Sequence, residues 1–311
     1  MKNVAIIGFF LGLSSMLGCA ADFDPGSRVN TFRVMAQEMD VPFATPGETV
    51  NISSLSYDPQ GRTVTWAWGA CVNPASSTVQ GCLDKIGEDA AASGSSLVLA
   101  QGPGLSNFSY TVPSDALSSL PEAARASALV GVLSVACPGD LSLDQEAHEL
   151  PFACKEAGTG RVLGLDEFVV GLKRVQVRST DRNQNPKLEQ VTFDGQDWPE
   201  DEVKEVTACD TTGNDYKACD SSNAQHKIAA RPSADSVESG RTEFGVDFTE
   251  QVVIEYYATE GIFEYEVKIP ADPQTGWVAR KSASGKDLTL WMVVHDDRGG
   301  ATWAERHVHV Q

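Results

Sequence analysis

Short runs of alternating apolar and polar residues recur along most of the chain, and residues typical of turns separate them. The runs "TVNISSLSYD" (49–58), "QVVIEYYAT" (251–259) and "DLTLWMVVHD" (287–296) show this pattern in both halves of the sequence. A period of two places the apolar side chains on one face of a strand, while Gly, Pro, Asp and Asn between the runs favour turns. The pattern predicts an all-β fold with two β-sandwich domains in tandem.

One short helix is predicted inside the first domain. The stretch "SDALSSLPEAARASA" (114–128) has helix-favouring residues behind Ser114, which can act as a cap. Pro121 limits the length of such a helix.

The boundary between the two domains is predicted at "STDRNQNPKLEQ" (179–190). An alternating strand ends there, the Asn-Pro pair interrupts the pattern, and a new alternating run follows. We therefore expect the first domain at 30–182, a linker at 183–187 and the second domain at 188–311.

The last two alternating runs predict a hairpin with a definite register. Pairing Leu290 with Val308 and Leu288 with Val310 keeps apolar residues on one face. This register leaves Arg298, Gly299 and Gly300 as a three-residue turn in which glycine can supply a positive φ.

Two stretches resemble bacterial immunoglobulin-like or PKD-type domains. In "PGETVNISSLSYDPQGRTVTWAW" (46–68) a Pro-Gly-Glu turn precedes a strand, an Asp-Pro-x-Gly turn follows it, and tryptophans lie on the next strand. "LTLWMVVHDDRGGATWAERHVHV" (288–310) is similar to the closing hairpin of the same modules. The resemblance implies two immunoglobulin-like or PKD-like sandwiches, although the segment 71–108 exceeds a minimal domain of this kind.

Trp66 and Trp68 share one face of a predicted strand, and two interpretations of them remain open. A tryptophan at this place in a sandwich usually packs in the core. A pair can instead form an exposed aromatic patch that binds glycans or proteins.

The N-terminus has the layout of a secretory signal peptide. Lys2 precedes a short apolar run, Val4 to Leu13, and small residues follow it. The run is too short to span a membrane, which takes about 20 apolar residues. We predict a signal peptide at 1–18.

The sequence "MLGC" (16–19) resembles the lipobox of bacterial lipoproteins, although Met16 and Leu17 depart from the preferred residues. The resemblance implies that Cys19 is diacylated, becomes the new N-terminus and anchors the protein to a membrane, with 19–29 as a tether. Ala20 in the next position implies sorting to the outer membrane. The alternative is an ordinary signal peptide that leaves a free thiol.

The other cysteines predict disulfides, since an even number in an exported chain is typical of oxidised pairs. We expect nearest-neighbour pairing, because each pair brackets a loop. A metal site is the alternative, but no C-x-x-C spacing is present. The expected pairs are Cys71–Cys82, Cys137–Cys154 and Cys209–Cys219.

The chain is acidic, with a formal net charge of −19. This charge argues against nucleic acid as a partner. The acid is concentrated in the second domain, in "DGQDWPEDEVKE" (194–205) and "CDTTGNDYKACD" (209–220). A solvated surface is the simplest interpretation of these loops, and a patch for a cation or a basic partner is the alternative.

The linker resembles the Asp- and Asn-rich calcium linkers of cadherin-like modules. Asp181, Asn183 and Asn185 offer the oxygen ligands that calcium prefers. An Asn- and Asp-rich turn explains the same residues without a metal. His307 and His309 lie two residues apart and therefore share one face of a predicted strand. Solvent-facing positions are the favoured interpretation of this pair, and a metal site is the alternative.

The linear motifs of common enzyme classes are absent: no G-x-S-x-G, H-E-x-x-H or P-loop occurs. We therefore predict a non-catalytic, lipid-anchored envelope protein that acts as a binding, display or structural module, in adhesion or envelope assembly. Its expected partners are the membrane, through the anchor, and an envelope protein or a glycan. The alternatives are a glycan-binding module, or a hydrolase whose loop-built site uses carboxylates with His148 or His226.

Overall fold

A computed structural model describes residues 24–94, 96–144, 150–211 and 213–311. Cys19 and the predicted signal peptide lie outside the described residues, and so does His148. The lipobox prediction therefore stays a prediction.

The first domain is a sandwich of two sheets. Its strands are, in chain order, β1 (Arg33–Met39), β2 (Phe43–Ala44), β3 (Thr49–Tyr57), β4 (Thr65–Val72), β5 (Ala100–Pro103), β6 (Asn107–Thr111), β7 (Leu129–Cys137), β8 (Asp140–Leu143), β9 (Phe152–Lys155) and β10 (Val169–Val177). One sheet has the order β1-β3-β6 and the other β2-β10-β7-β4-β5, while β8 and β9 form a separate hairpin.

The second domain is also a sandwich. Its strands are β11 (Leu188–Phe193), β12 (Gln196–Asp197), β13 (Val203–Val206), β14 (His226–Pro232), β15 (Ser239–Arg241), β16 (Asp247–Thr249), β17 (Val252–Ala258), β18 (Ile262–Phe263), β19 (Val267–Lys268), β20 (Gln274–Val278), β21 (Asp287–Asp296) and β22 (Ala301–Val310). The sheets have the orders β12-β11-β14-β20-β18 and β13-β22-β21-β17-β19, and β15 and β16 form a hairpin.

The two domains share one strand arrangement. In each, the first strand pairs antiparallel with one sheet, and the chain then crosses to pair in parallel with the last strand: β2 with β10, and β13 with β22. This is the immunoglobulin-like sandwich arrangement. The predicted fold class is confirmed.

The α-helix of the first domain is not where the sequence predicted it. It is α1 (Val79–Ser93), whereas the segment 114–128 forms turns and a 3₁₀ helix, Glu122–Ser127. Pro121 cannot donate a backbone hydrogen bond in the middle of the predicted helix. The side chain of Thr78 caps α1 by accepting from the amide of Gly81 at 3.0 Å.

Further short 3₁₀ helices lie in the loops of the second domain. They are Tyr216–Ala218, Ala234–Ser236 and Lys281–Ala283.

The last hairpin has the predicted faces but a shifted register. Leu288 pairs with Val308, whereas the prediction paired it two residues further along β22. The amide of Asp296 donates to the carbonyl of Gly300 at 3.1 Å, which makes 297–299 the turn. The carboxylate of Asp296 also accepts from the amide of Gly300 at 2.8 Å. A shift of two residues keeps every side chain on its face, so the apolar pattern alone could not distinguish the two registers.

Outward-facing side chains of the two domains pack against each other. Leu55 of β3 lies in one cluster with Trp291 and Val293 of β21, all of them buried. Tyr57 places its ring 5.0 Å from that of Trp291. The domains are therefore joined through a small apolar interface as well as through the linker.

Residues 24–29, which were predicted to belong to a tether, are packed against the second domain. The amide of Val29 donates to the carbonyl of Ala258 at 2.8 Å, and the amide of Ala258 donates to the carbonyl of Ser27 at 2.9 Å. Val29 is fully buried in the interface cluster. Burial of this apolar side chain stabilises the contact. The described part of the predicted tether is therefore packed on the second domain.

A candidate binding cleft in the second domain

The last strand of the second domain has one edge that is only partly covered. β22 pairs with β21 along its whole length, but on its other side β13 covers only the segment from His307 to Val310. The preceding segment, from Ala301 to Arg306, has no strand beside it on that side among the described residues.

The backbone of this segment carries unused hydrogen-bonding groups. Alternate residues of an antiparallel strand turn their amide and carbonyl groups to the same edge. In β22 the even-numbered residues face β21, and the odd-numbered ones face outward. The amide of Ala301 donates to Asn185, but the amides of Trp303 and Glu305 have no hydrogen-bond partner within the described part of the chain.

A cleft of about 650 Å³ lies along this edge. The start of β11 and the segment 197–200 line it together with β22. The lining residues are Leu188–Val191, Asp197–Glu200 and Thr302–His307. No described residue of the first domain lines it.

Trp198 explains why the crossing loop leaves the cleft open. Its side chain is buried beside Phe193, with the ring centroids 4.9 Å apart, and its indole nitrogen donates to the carbonyl of Glu202 at 3.0 Å. Its amide donates to the carbonyl of Val191 at 2.8 Å. These contacts hold the loop on the core, so that the chain reaches β22 only at His307.

The lining of the cleft is acidic. Glu189, Asp197, Glu200 and Glu305 are solvent-exposed carboxylates on its walls. Arg306 is the opposing cation, and its guanidinium is already bonded to the carbonyl of Trp198 at 2.6 Å. Burial lowers the pKa of Arg306, while Glu200 and Asp197 oppose this shift. Such a surface favours a positively charged ligand.

Trp66 and Trp68 do not form an exposed aromatic patch; this interpretation is wrong. Each is 1% exposed, and their rings stack with centroids 5.6 Å apart. Trp68 also stacks on Phe108 at 5.2 Å. Both face the space between the sheets, where burying a large ring stabilises the first domain, and they are therefore core residues.

The three linker residues predicted as calcium ligands bind other parts of the protein. Asp181 accepts from the amide of Glu243 at 2.8 Å, and Asn183 donates to Asp296 at 3.2 Å. Asn185 donates to the carbonyl of Met39 at 2.6 Å. They tie the linker to both domains, and the described residues contain no group of three or more His, Cys, Asp or Glu side chains that could hold a metal ion.

Each histidine in the described part of the chain has a carboxylate within ion-pair distance. His307 and His309 lie half-exposed on the outer face of β22, and Asp287 raises the pKa of His309 through a hydrogen bond of 2.7 Å. His226 is buried, with its Nδ1 atom 2.9 Å from Asp194. In the described residues, no hydroxyl or thiol contacts its other ring nitrogen, so the pair lacks a nucleophile.

All three disulfides form in the predicted nearest-neighbour pairing. Cys71 is bonded to Cys82, Cys137 to Cys154 and Cys209 to Cys219. The first ties α1 to β4.

The described residues contain no helix with the length and apolar character needed to cross a membrane.

The sequence pattern did not reveal the cleft. It arises because β13 joins β22 in parallel, far along the chain from the strand that it covers. The signal that was available is the length of the last run: the four-residue strand Val203–Val206 cannot cover all ten of its residues.

No family model and no curated protein matches this chain. Among solved structures, it is similar to dimeric latent PorU from Porphyromonas gingivalis, with 10% identity, a TM-score of 0.22, and coverage of 91% of this chain and 24% of that one. β-Glucuronidase 3 of Bacteroides uniformis gives 7% identity, a TM-score of 0.21, and 88% and 24% coverage. The D0-D1 domain of intimin has 9% identity and a TM-score of 0.20, with coverage of 89% of this chain and 98% of that one.

The chain thus spans about a quarter of the length of the first two structures. TM-scores of this size carry no argument about function.

Proposed function

We propose that this protein is a lipid-anchored, non-catalytic binding module of the bacterial cell envelope, located at the outer membrane. Its second domain binds an extended, positively charged segment of a partner protein along the open edge of β22. The disulfides support a location outside the cytosol, where oxidised cysteines persist. The lipobox resemblance at Cys19 supports the anchor.

The observation that carries the binding role is the unpaired edge inside the acidic cleft. The amides of Trp303 and Glu305 face a cleft of about 650 Å³ whose walls are rich in carboxylates. An extended peptide that pairs with such an edge gains main-chain hydrogen bonds, and its side chains supply the specificity. Lysine or arginine side chains of the partner complement Glu189 and Glu200.

A peptide-binding experiment tests this role. We expect the peptide (Val-Lys)4 to bind the purified protein and (Val-Glu)4 not to bind, as measured by fluorescence anisotropy. Glu305→Pro removes the outward amide without removing a bond to β21, and it should abolish binding. Glu305→Ala removes the same carboxylate but keeps the amide, so it should retain most of the affinity. Equal binding of both peptides, or full binding by Glu305→Pro, would contradict the proposal.

The anchor is tested separately in cells. Cys19→Ser should abolish labelling by a fatty-acid analogue and release the protein from membranes, because acyl chains hold a protein through buried methylenes, each contributing about 0.8 kcal/mol. Ser15→Ala in the same segment is the control and should leave both properties unchanged. Membrane retention of Cys19→Ser would exclude the anchor without affecting the peptide-binding role.

A further inference from the structure

The hairpin of β15 and β16 belongs to the second domain but contacts the end of the first. The two strands pair with each other and form a small sheet of their own. Glu243, in the turn that joins them, reaches the segment 179–181, which follows β10. We propose that this hairpin is a clasp, which holds the two domains in one fixed orientation by closing on the end of the first domain.

The tip of the hairpin and the segment 179–181 exchange hydrogen bonds in both directions. The carboxylate of Glu243 accepts from three consecutive amides at 3.1, 2.7 and 3.2 Å, those of Ser179, Thr180 and Asp181. In return, the carboxylate of Asp181 accepts from the amide of Glu243 at 2.8 Å. Successive amides that converge on one anion bind it well, and such charge-assisted bonds are strong.

The carboxylate of Glu243 is held in its charged form by these bonds. Burial alone would raise the pKa of Glu243, but the hydrogen bonds from the three amides lower it below its ordinary value. The closing contact at the tip is therefore an anion in a site made of backbone donors.

Aromatic rings and guanidinium groups form a second closing contact. Arg298 lies over one ring of each domain, 4.6 Å from the centroid of Phe43 in β2 and 3.8 Å from that of Phe248 in β16. Arg178, at the end of the first domain, lies over Phe43 at 5.4 Å and over Phe244 of the hairpin at 5.6 Å. Such contacts gain strength when they are shielded from water, and Arg178 is buried.

The base of the hairpin is fixed to its own domain, whereas its strands are exposed. The buried carboxylate of Glu250, directly after β16, accepts from Arg298 at 3.0 Å and from the amide of Glu238 at 2.9 Å. Arg241 and Asp247 face each other across the two strands, and both are largely exposed to solvent. A lone two-stranded hairpin is only marginally stable. Its position therefore depends on the contacts at its tip and with the aromatic rings.

The two domains need such a restraint. Apart from the linker bonds, they meet in a small apolar cluster whose buried members are Val29, Leu55, Trp291 and Val293. Domains joined by a small interface move relative to each other by default. The clasp adds bonds and ring contacts to this interface, and we expect it to remove that freedom.

Nuclear magnetic resonance on the purified protein tests the clasp. The double variant Glu243→Ala/Phe248→Ala removes one side chain from each closing contact. Its amides at 179–181 should exchange at least about tenfold faster than in the wild type. Residual dipolar couplings should give one alignment tensor for both domains of the wild type and two different tensors for the variant. The control Val246→Ala/Asp247→Ala makes similar changes at exposed residues of the same hairpin and should behave as the wild type does.

Fast exchange together with two alignment tensors in the double variant supports the clasp. Fast exchange with a single tensor would show that other contacts fix the orientation. Unchanged exchange would show that these side chains do not close the hairpin. Either result overturns the proposal, and so do two tensors in the wild type or equal effects in the control.

Slow exchange in β14 and β21 verifies that the double variant is folded. If it does not fold, Glu243→Ala alone, which keeps the aromatic rings, gives the same readout. Binding of (Val-Lys)4 is independent of these outcomes, because the hairpin does not line that cleft.

Discussion

The two domains leave the same strand edge open and line it with opposite charges. In the first domain β2 covers β10 only at Gln176 and Val177, and in the second β13 covers β22 only from His307 to Val310. The open part of β10 presents cations and is bordered by a turn of the second domain. The open part of β22 lies in a cleft whose lining is rich in carboxylates, and this cleft is bordered by its own domain alone.

This difference shows which features the fold determines. The closing parallel pair brings apolar residues of the last strand, such as Val177 and Val308, into the two cores. The charged side chains along the open edges, such as Arg174 and Glu305, belong to neither core cluster, so their charge can differ without cost to packing. One architecture thereby supports two edges with different charges.

The largest expected effect comes from breaking the core behind one edge. Trp68→Ala removes a buried ring that stacks on two others, and we expect the free energy of unfolding to fall by about 3–5 kcal/mol. Denaturant unfolding measures this loss. Leu99→Ala, at a residue that is 54% exposed, should change stability by less than about 0.5 kcal/mol. Similar losses in both variants would contradict the assignment of Trp68 to the core.

The sequence predicted the strands and the disulfides, but it did not predict the position of the helix. Alternation predicted the strands and both sandwiches, and the bracketed loops predicted the three disulfides. The helix was misplaced because local preference at 114–128 outweighed the spacing of Val79, Cys82 and Ile86, whose burial shows the apolar face of α1.

The two partly covered edges escaped prediction for a different reason. Both depend on pairings between segments far apart in the chain, β13 with β22 and β2 with β10. The alternating pattern predicts on which face of a strand a side chain lies, but it does not predict which edge of that strand stays unpaired.

A pH titration sharpens the contrast at the cationic edge. Burial lowers the pKa of Lys173 to about 8, from an ordinary value of 10.5, while Asp296 and Glu38 oppose this shift. The unfolded chain then binds more protons between pH 8 and 10.5, so the free energy of unfolding should rise with pH across this window.

The rise should reach about 2–3 kcal/mol relative to Lys173→Met, whose side chain does not titrate. Chemical denaturation at several pH values measures it. A difference between the two proteins that stays constant, or that falls as the pH rises, would contradict the burial of a charged Lys173.

A charge reversal at the acidic edge has the smallest expected effect. The double variant Glu189→Lys/Glu200→Lys should weaken the binding of (Val-Lys)4 and strengthen the binding of (Val-Glu)4. Each change should be only several-fold, because exposed charges interact weakly through water. High salt should remove this change but leave the effect of Glu305→Pro. An unchanged peptide preference would show that the carboxylate walls do not select the ligand.

The central claim is that the open edge of β22 accepts a strand, and hydrogen exchange at its amides tests this most directly. Without peptide, the outward amides of Trp303 and Glu305 should exchange fast, while those of Ala304 and Arg306, which face β21, exchange slowly. Saturating (Val-Lys)4 should slow Trp303 and Glu305 by at least about tenfold and leave their neighbours unchanged. If the peptide binds while the exchange of Trp303 and Glu305 stays fast, it does not pair with β22, and the claim is wrong.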